Sequence, residues 1–119
     1  MSRIVVVDDS KFMRNLLTRF LEGAGHEVFP WEELAASEVG GRVREDQPDL
    51  VITDFQMPRC NGLTVARMAR LAKPGLPVVV LTATHDPMVM EALRRQEVSC
   101  ILHKPLSAEA LLEAVRDVL

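Results

Sequence analysis

Several features that mark particular protein classes are scarce or missing in this chain. It has only two cysteines, Cys60 and Cys100, which are too few for a disulfide framework. The three histidines, His26, His85 and His103, show no metal-ligand spacing with the cysteines or with one another. The sequence therefore predicts free thiols and ordinary polar side chains at these five positions.

Long apolar runs and dense clusters of basic residues are also missing. The longest apolar stretches are far shorter than a bilayer-spanning helix, and the start of the chain does not resemble a signal peptide. Fourteen Lys and Arg residues against seventeen Asp and Glu residues give a formal net charge of -3, with no basic patch typical of nucleic-acid binding. We expect a cytoplasmic protein that contacts neither nucleic acid nor membrane.

The apolar residues, 48% of 119, are enough for the core of one domain and argue against disorder. Five short apolar segments, rich in β-branched residues, predict strands at 4–7, 26–29, 50–53, 77–81 and about 99–102. Helical patterns separate them, which favours an α/β fold with a doubly wound five-stranded parallel sheet, (βα)5, and right-handed crossovers. We find no linker or repeat, and expect a single domain over 1–119 without an output domain.

Most of the helices have clear start or stop signals. Ser10 is predicted to cap the first helix, Asn61 the third and Ser107 the fifth, and Asp86-Pro87 opens the fourth. The predicted apolar face of the first helix consists of Phe12, Met13, Leu16, Leu17, Phe20 and Leu21.

The second helix is the exception. Segment 31–45 carries Gly40-Gly41 in its middle, and two such glycines cost a helix interior about 2 kcal/mol relative to alanines. We expect a short, broken or mobile element there.

Polar side chains follow four of the predicted strands. Asp8-Asp9 follows the first strand, Asp54 the third, Thr82 the fourth and Lys104 the fifth. In open parallel sheets, chemistry occurs beyond the carboxyl ends of the strands. With the strand order 2-1-3-4-5, three carboxylates converge and repel one another, and a hard cation such as Mg²⁺ relieves that repulsion. A lysine and a hydroxyl opposite them complete a site suited to a phosphoryl group.

Each of these residues has an ordinary structural explanation when it is taken alone. An Asp after a strand is often a helix cap, Thr82 is typical of strand-end packing, and Lys104 before Pro105 is unremarkable. The interpretation as a site depends on their occurring together at one edge of the sheet.

The whole chain resembles the receiver domain of two-component response regulators, the CheY-like members of the flavodoxin-like fold. The matching residues are Asp8-Asp9, Asp54, Met57-Pro58, Gly62, Thr82-Ala83 and Lys104-Pro105. This resemblance implies that Asp54 accepts a phosphoryl group from a sensor histidine kinase or a histidine phosphotransfer protein. It implies a signalling phosphoacceptor that catalyses only its own phosphorylation and dephosphorylation.

The resemblance also implies roles for the surrounding residues. Mg²⁺ would be bound by Asp9, Asp54 and the backbone carbonyl of Gln56, with Asp8 assisting through water, while Lys104 and Thr82 would contact the phosphoryl oxygens. The side chains of Gln56 and Thr84 would flank the incoming group and tune the lifetime of the phosphoaspartate.

Output is expected through a face made of the fourth helix, fifth strand and fifth helix. Met88 and Met90 cannot both face the sheet, so at least one should be exposed and suit a partner surface, with packing at the helix edge as the alternative. Ile101 takes the place of the family's usual aromatic switch residue, so ring rotation is not available. The usual Gly-Ala pair before the fifth strand is Glu97-Val98, which leaves the fourth helix without a glycine stop.

Three other functions compete with the phosphoacceptor. A pseudo-receiver that binds partners without phosphorylation is disfavoured, because the acids and the lysine are all present. A phosphatase of the haloacid-dehalogenase type needs an acid two residues after the nucleophile, where this chain has Gln56. A flavin-binding protein of the same fold is also disfavoured, because Asp8-Asp9 after the first strand would repel the flavin phosphate.

Overall fold

The computed structural model describes residues 1–32 and 34–119, which form a five-stranded parallel sheet with helices on both faces. The elements are β1 (Arg3–Val7), α1 (Lys11–Gly23), β2 (Glu27–Trp31), α2 (Ala36–Asp46), β3 (Leu50–Asp54), α3 (Gly62–Ala72), β4 (Val78–Thr82), α4 (Pro87–Arg95), β5 (Cys100–His103) and α5 (Ala108–Val118). The strand order β2-β1-β3-β4-β5 confirms the predicted topology. None of the helices among the described residues is long and apolar enough to cross a membrane.

Two apolar layers cover the sheet, one on each face. Alternate strand residues such as Val5 and Val51 pack with α2, α3 and Leu93 of α4. The intervening strand residues, such as Ile4 and Ile52, pack with α1 and α5. Because strands β1, β3 and β4 are covered on both faces, their side chains are almost all apolar until the carboxyl ends, where polar groups begin.

The start of α1 departs from the predicted apolar face. Leu17 and Leu21 are buried as expected, but Phe12 is 73% exposed. Ser10 caps the helix, its Oγ accepting a hydrogen bond from the Met13 backbone N–H at 3.3 Å. Phe12 therefore lies in the first turn, beyond the part of α1 that the sheet covers.

Strand β2 continues through Pro30 to Trp31, beyond the predicted end at residue 29. The Glu27 N–H donates to Ser2 O, and Trp31 O accepts from the Asp8 N–H, so odd-numbered residues of β2 direct their backbone groups toward β1. Pro30 lies at an intervening position on an edge strand, where its missing N–H removes no hydrogen bond to β1.

Helix α2 is continuous through Gly40-Gly41, so the expectation of a broken element is wrong. The predicted segment 31–45 also began too early, since Trp31 belongs to β2; its residue 33 lies outside the described part. Val39 and Val43 are buried on the sheet side, and a Cβ at Gly40 would lie 3.8 Å from Ala72 Cβ of α3. Burial against the sheet and close approach to α3 offset the low helix propensity of the two glycines.

Helix α4 ends although Glu97 stands where the family usually has a glycine. Glu97 itself adopts the left-handed conformation, with φ 56°. The Glu97 N–H donates to Arg94 O at 2.9 Å, and the Val98 N–H donates to Leu93 O at 3.4 Å. The guanidinium of Arg70, on α3, donates to the carbonyls of Gln96 and Glu97. Hydrogen bonds from a neighbouring helix thus stabilise a helix end at which glycine is more usual.

We expect Gly41→Ala to raise the free energy of unfolding by about 0.5–1 kcal/mol, since alanine is the better helix former and a Cβ there meets no atom within 4 Å. Urea unfolding followed by circular dichroism measures the change. Gly25→Ala is the control, and it should destabilise because Gly25 has φ +94°. A destabilising Gly41→Ala would show that α2 is not continuous in solution.

Candidate functional site

Three carboxylates meet at the carboxyl ends of β1 and β3. One oxygen each from Asp8, Asp9 and Asp54 lies within 4.8 Å of the other two. The pairing of β1 with β3 produces this cluster. Val7 is in register with Thr53, so the residues that follow them, Asp8 and Asp54, lie side by side at the ends of the two strands. Asp8 and Asp54 are buried and Asp9 is exposed, so the cluster opens to solvent on one side.

Asp8 is the most constrained of the three acids. Its Oδ1 accepts a hydrogen bond from the Ser10 N–H at 2.9 Å, while its Oδ2 is buried and has no hydrogen-bond partner among residues 1–32 and 34–119. Burial raises the pKa of this carboxyl above its ordinary value, and the negative charges of Asp54 and Asp9 add to the rise. The Ser10 hydrogen bond and the Lys104 charge oppose it.

The cluster fits a hard divalent cation. An all-oxygen donor set of carboxylates is what Mg²⁺ prefers, and the unpaired Asp8 Oδ2 is an acceptor without a donor. The three oxygens lie within 4.8 Å of one another, and an ion with ligands at about 2.1 Å would draw them closer together.

Lys104 closes the other side of the cluster. Its Nζ lies 3.0 Å from Asp54 Oδ1, which makes Asp54 one half of a largely buried ion pair. The Lys104 N–H donates to Thr82 O at 2.9 Å, fixing the end of β5 against the end of β4. The Lys104–Pro105 peptide bond is cis.

Thr82 and the loop after it form the wall opposite the acids. Thr82 is buried, and its Oγ1 accepts a hydrogen bond from the Thr84 N–H at 3.0 Å. Ala83 and Gln56 are exposed, and Thr84 is half-buried. The side chains predicted to flank the incoming group therefore lie where solvent can reach them.

Gly62 holds the loop that follows Asp54. Its N–H donates to Phe55 O at 2.8 Å, and a Cβ at this position would lie 2.8 Å from Asp54 O. Such an approach excludes any side chain, so glycine is required for α3 to begin directly against the end of β3. Asn61 then caps α3, its Oδ1 accepting from the Thr64 N–H.

The residues expected to carry the output lie farther from the acids. Ile101 is half-buried and packs with the apolar layer that includes α2 and α3. Met90 packs against the same layer, whereas Met88 is 82% exposed. The expectation that the two methionines cannot both face the sheet is confirmed, while their role in output stays a prediction.

Two features near the site were not found from the sequence. Arg14 donates from Nη1 to Asp8 O at 2.6 Å, and its Nη2 lies 3.8 Å from Glu32, so it supports the loop that carries the acids. Its position one helical turn after Ser10 was the available signal. The rings of His85 and His103 stack with centroids 4.1 Å apart, joining the loop after β4 to the end of β5. Residues 18 apart in sequence give no local sign of that contact.

Both cysteines are free, as predicted. Cys60 is a buried residue of the loop after Asp54, and Cys100 is half-buried in β5. Burial raises the pKa of both thiols, which keeps them protonated and unreactive at neutral pH.

Without metal, Asp8→Asn should increase the free energy of unfolding by about 1–2 kcal/mol, because it removes a buried charge whose Oδ2 lacks a partner. The pKa of Asp8 is raised in the folded protein above 3.8, so the wild type loses stability as the pH rises from 3.8 through that raised value. The difference in the free energy of unfolding between Asp8→Asn and the wild type should therefore be small in acid and grow toward neutral pH. Urea unfolding in EDTA across this range measures it, and a difference that does not change with pH would contradict the assignment.

A profile of the response regulator receiver domain matches residues 4–116. The chain is 37% identical to the response regulator MprA of Mycolicibacterium vanbaalenii and 34% identical to the sensory/regulatory protein RpfC of Xanthomonas campestris, in both cases over 98% of its length. It spans half the length of MprA and 16% of the length of RpfC.

Among solved structures, the chemotaxis protein CheY4 of Vibrio cholerae superimposes with a TM-score of 0.91 at 26% identity, covering 100% of this chain and 99% of that one. The sequence comparison and the fold comparison agree. The chain belongs to the response regulator receiver domains of two-component signalling systems.

Proposed function

We propose that the chain is a phosphoacceptor switch in which Asp54 receives a phosphoryl group from a phosphohistidine of a sensor kinase or phosphotransfer protein. The single observation that carries this proposal is the ion pair between Lys104 Nζ and Asp54 Oδ1 beside two further carboxylates. Receiver domains in general interact with histidine kinases and downstream effectors and have a fold typical of signalling phosphoacceptors rather than catalytic enzymes.

Phosphoryl transfer to Asp54 needs a nucleophile, an open path for the donor, and neutralisation of the negative charge on the phosphoryl oxygens. An Asp54 carboxylate oxygen attacks phosphorus, the P–O bond forms as the P–N bond to the donor imidazole breaks, and that nitrogen leaves with the bond's electron pair and takes up a proton. Because an ionised carboxylate is already nucleophilic, no general base is required. Ala83 is small and exposed, which leaves the approach from the solvent side open.

Receiver domains generally bind Mg²⁺, and the acids here would hold it. Asp9, Asp54 and the Gln56 carbonyl are the proposed ligands, with Asp8 acting through water, and the bound ion would neutralise charge on the phosphoryl oxygens. Arg14 holds the Asp8 backbone in place by its hydrogen bond.

Lys104 and Thr82 are the proposed partners of the transferred group. On phosphorylation, Lys104 exchanges its contact with the Asp54 carboxylate for one with a phosphoryl oxygen. The Thr82 Oγ1 already accepts the Thr84 N–H and has its own proton to donate. A donation toward the phosphoryl group would draw the loop after β4 with it.

That loop leads directly into α4, which makes a face of α4, β5 and α5 the proposed output surface. Thr84 Oγ1 accepts from the Asp86 N–H, and Asp86 caps α4 by accepting from the Met88 N–H. A chain of hydrogen bonds thus runs from Thr82 to the start of α4. Ile101 packs against the apolar layer beside β4 and would respond by aliphatic repacking, since it has no ring to rotate.

A receiver acting without an attached output domain is part of this proposal. The mass of the protein isolated from its own cells would test it. The cytoplasmic location stays a prediction.

We expect wild-type protein to take up one phosphoryl group from acetyl phosphate with Mg²⁺, and Asp54→Asn to take up none. An amide at this position keeps the size of the side chain but has no anionic oxygen to attack with. Intact-protein mass spectrometry, with and without EDTA, measures the uptake. Equal uptake by Asp54→Asn would place the phosphoryl group on another residue and contradict the assignment of Asp54. No uptake by the wild type would instead favour the pseudo-receiver, a partner-binding domain that needs no phosphorylation.

Lys104→Met should slow that uptake by about 100-fold, because a single preorganised charge on the transferring group contributes on this scale. Binding of Mg²⁺ should not weaken, since the variant removes a cation from beside the acids. Titration calorimetry measures the metal affinity and mass spectrometry the rate. A parallel fall in both would show that Lys104 maintains the fold rather than the chemistry.

A further inference from the structure

Helices α3 and α4 face each other across an open cleft. Their facing residues lie at helical spacing, Leu63, Arg67 and Leu71 on α3 and Met88, Ala92 and Arg95 on α4. We call this surface the α3–α4 cleft. It consists of a cavity of about 510 Å³ and a smaller one of about 260 Å³, which adjoin at Gln96.

The cleft exposes large apolar side chains. Met88 is 82% exposed and Leu71 is 71% exposed, and the two lie on opposite helices. The Met88 side of α4 faces α3 across the cleft, so the most exposed residue of α4 belongs to this surface. Exposed apolar groups on two facing helices are typical of a surface that a partner covers.

The charge of the cleft opposes that of the rest of the chain. Among the charged residues that line the cleft, Arg67, Arg70 and Arg95 outnumber Glu91, a local balance of +2. The remaining chain has eleven basic residues against sixteen acidic ones, a balance of -5. A negatively charged partner is therefore attracted here and repelled elsewhere.

Hydrogen bonds and ion pairs hold the walls of the cleft in place. Arg70 crosses from α3 to the end of α4, where it donates to Gln96 O and pairs with the Glu97 carboxylate at 3.5 Å. Glu91 lies 3.0 Å from Arg94 and 3.4 Å from Arg95, so one carboxylate serves two guanidinium groups. The spacing of the helices is fixed before a partner arrives, which lowers the cost of binding.

We propose that the α3–α4 cleft binds an acidic amphipathic helix of another protein. From Leu63 to Leu71 the wall is about 12 Å long, which matches two turns of a helix. Apolar residues of the partner at i, i+4 and i+7 would contact Met88 at one end and Leu71 at the other, and its flanking carboxylates would pair with Arg67 and Arg95.

An extended peptide is a poorer occupant, because α3 and α4 satisfy their own backbone groups and present no strand edge to pair with. Nucleic acid is also disfavoured, since the local balance is only +2 and the surface is largely apolar. The proposal does not depend on phosphorylation of Asp54.

The test uses a fluorescein-labelled helical peptide with leucines along one face and glutamates on both flanks. Fluorescence anisotropy gives its Kd for the full chain and for Arg67→Glu, Arg95→Glu and Met88→Ser. We expect each variant to weaken binding about tenfold, through repulsion for the first two and lost apolar contact for the third. Asp54→Asn should bind like the wild type, so the outcome is independent of the phosphoacceptor assignment.

Arg19→Glu and Phe12→Ser are the matched protein controls, since both residues are exposed on α1 in the opposite layer, and these variants should leave the Kd unchanged. The peptide control has the same composition with its apolar face scrambled, and it should bind weakly. The proposal is overturned if cleft and control variants lose affinity equally, if the scrambled peptide binds as well, or if no peptide binds. Tighter binding of a single-stranded oligonucleotide at the same site would also overturn it.

Discussion

The structure depends on the pairing of β1 with β3, which places acids from two separate strand ends within a few ångströms of one another. Such proximity is unfavourable without compensation, and the protein supplies it locally through the Lys104 ammonium and the Ser10 N–H. Asp8 nevertheless keeps one buried oxygen without a partner. The core stabilises this arrangement, since four apolar residues of β1 and three of β3 are fully covered on both faces. The apolar layers thus keep the charged groups close together at the end of the sheet.

The same arrangement explains how a signal would leave the site. Thr82 and Lys104 are joined by a backbone hydrogen bond at the ends of β4 and β5, and a series of short hydrogen bonds leads from Thr82 to the cap of α4. Each hydrogen bond of this series joins residues two apart in sequence, so a displacement of Thr82 would be transmitted to the start of α4. The α3–α4 cleft begins where that series ends, at Met88. Phosphorylation and partner binding would therefore act on the same helix from different sides.

The strands and the polar residues at their carboxyl ends could be predicted because they depend on local patterns, namely short β-branched runs and the residues that follow them. The strand order does not depend on such patterns, and its prediction came from the fold class. The features that could not be predicted from the sequence depend on tertiary contacts. Helix α2 tolerates Gly40-Gly41 because Val39 and Val43 are buried, and Glu97 replaces a glycine because Arg70 of α3 reaches its carbonyl. The stacking of His85 on His103 likewise joins two strand ends that only the folded sheet brings together. The sequence contains these residues but no sign of their partners.

Pro30 has a consequence for how the protein can assemble. Strand β2 is an edge of the sheet, and an exposed edge offers a row of backbone donors and acceptors to any extended chain. At Pro30 the outward-facing donor is missing, and the ring occupies the place where another strand would lie. Growth of the sheet by strand addition is therefore blocked on this side, which favours association through helix surfaces. A protein that must exchange partners reversibly gains from an edge that cannot seed a continuous intermolecular sheet.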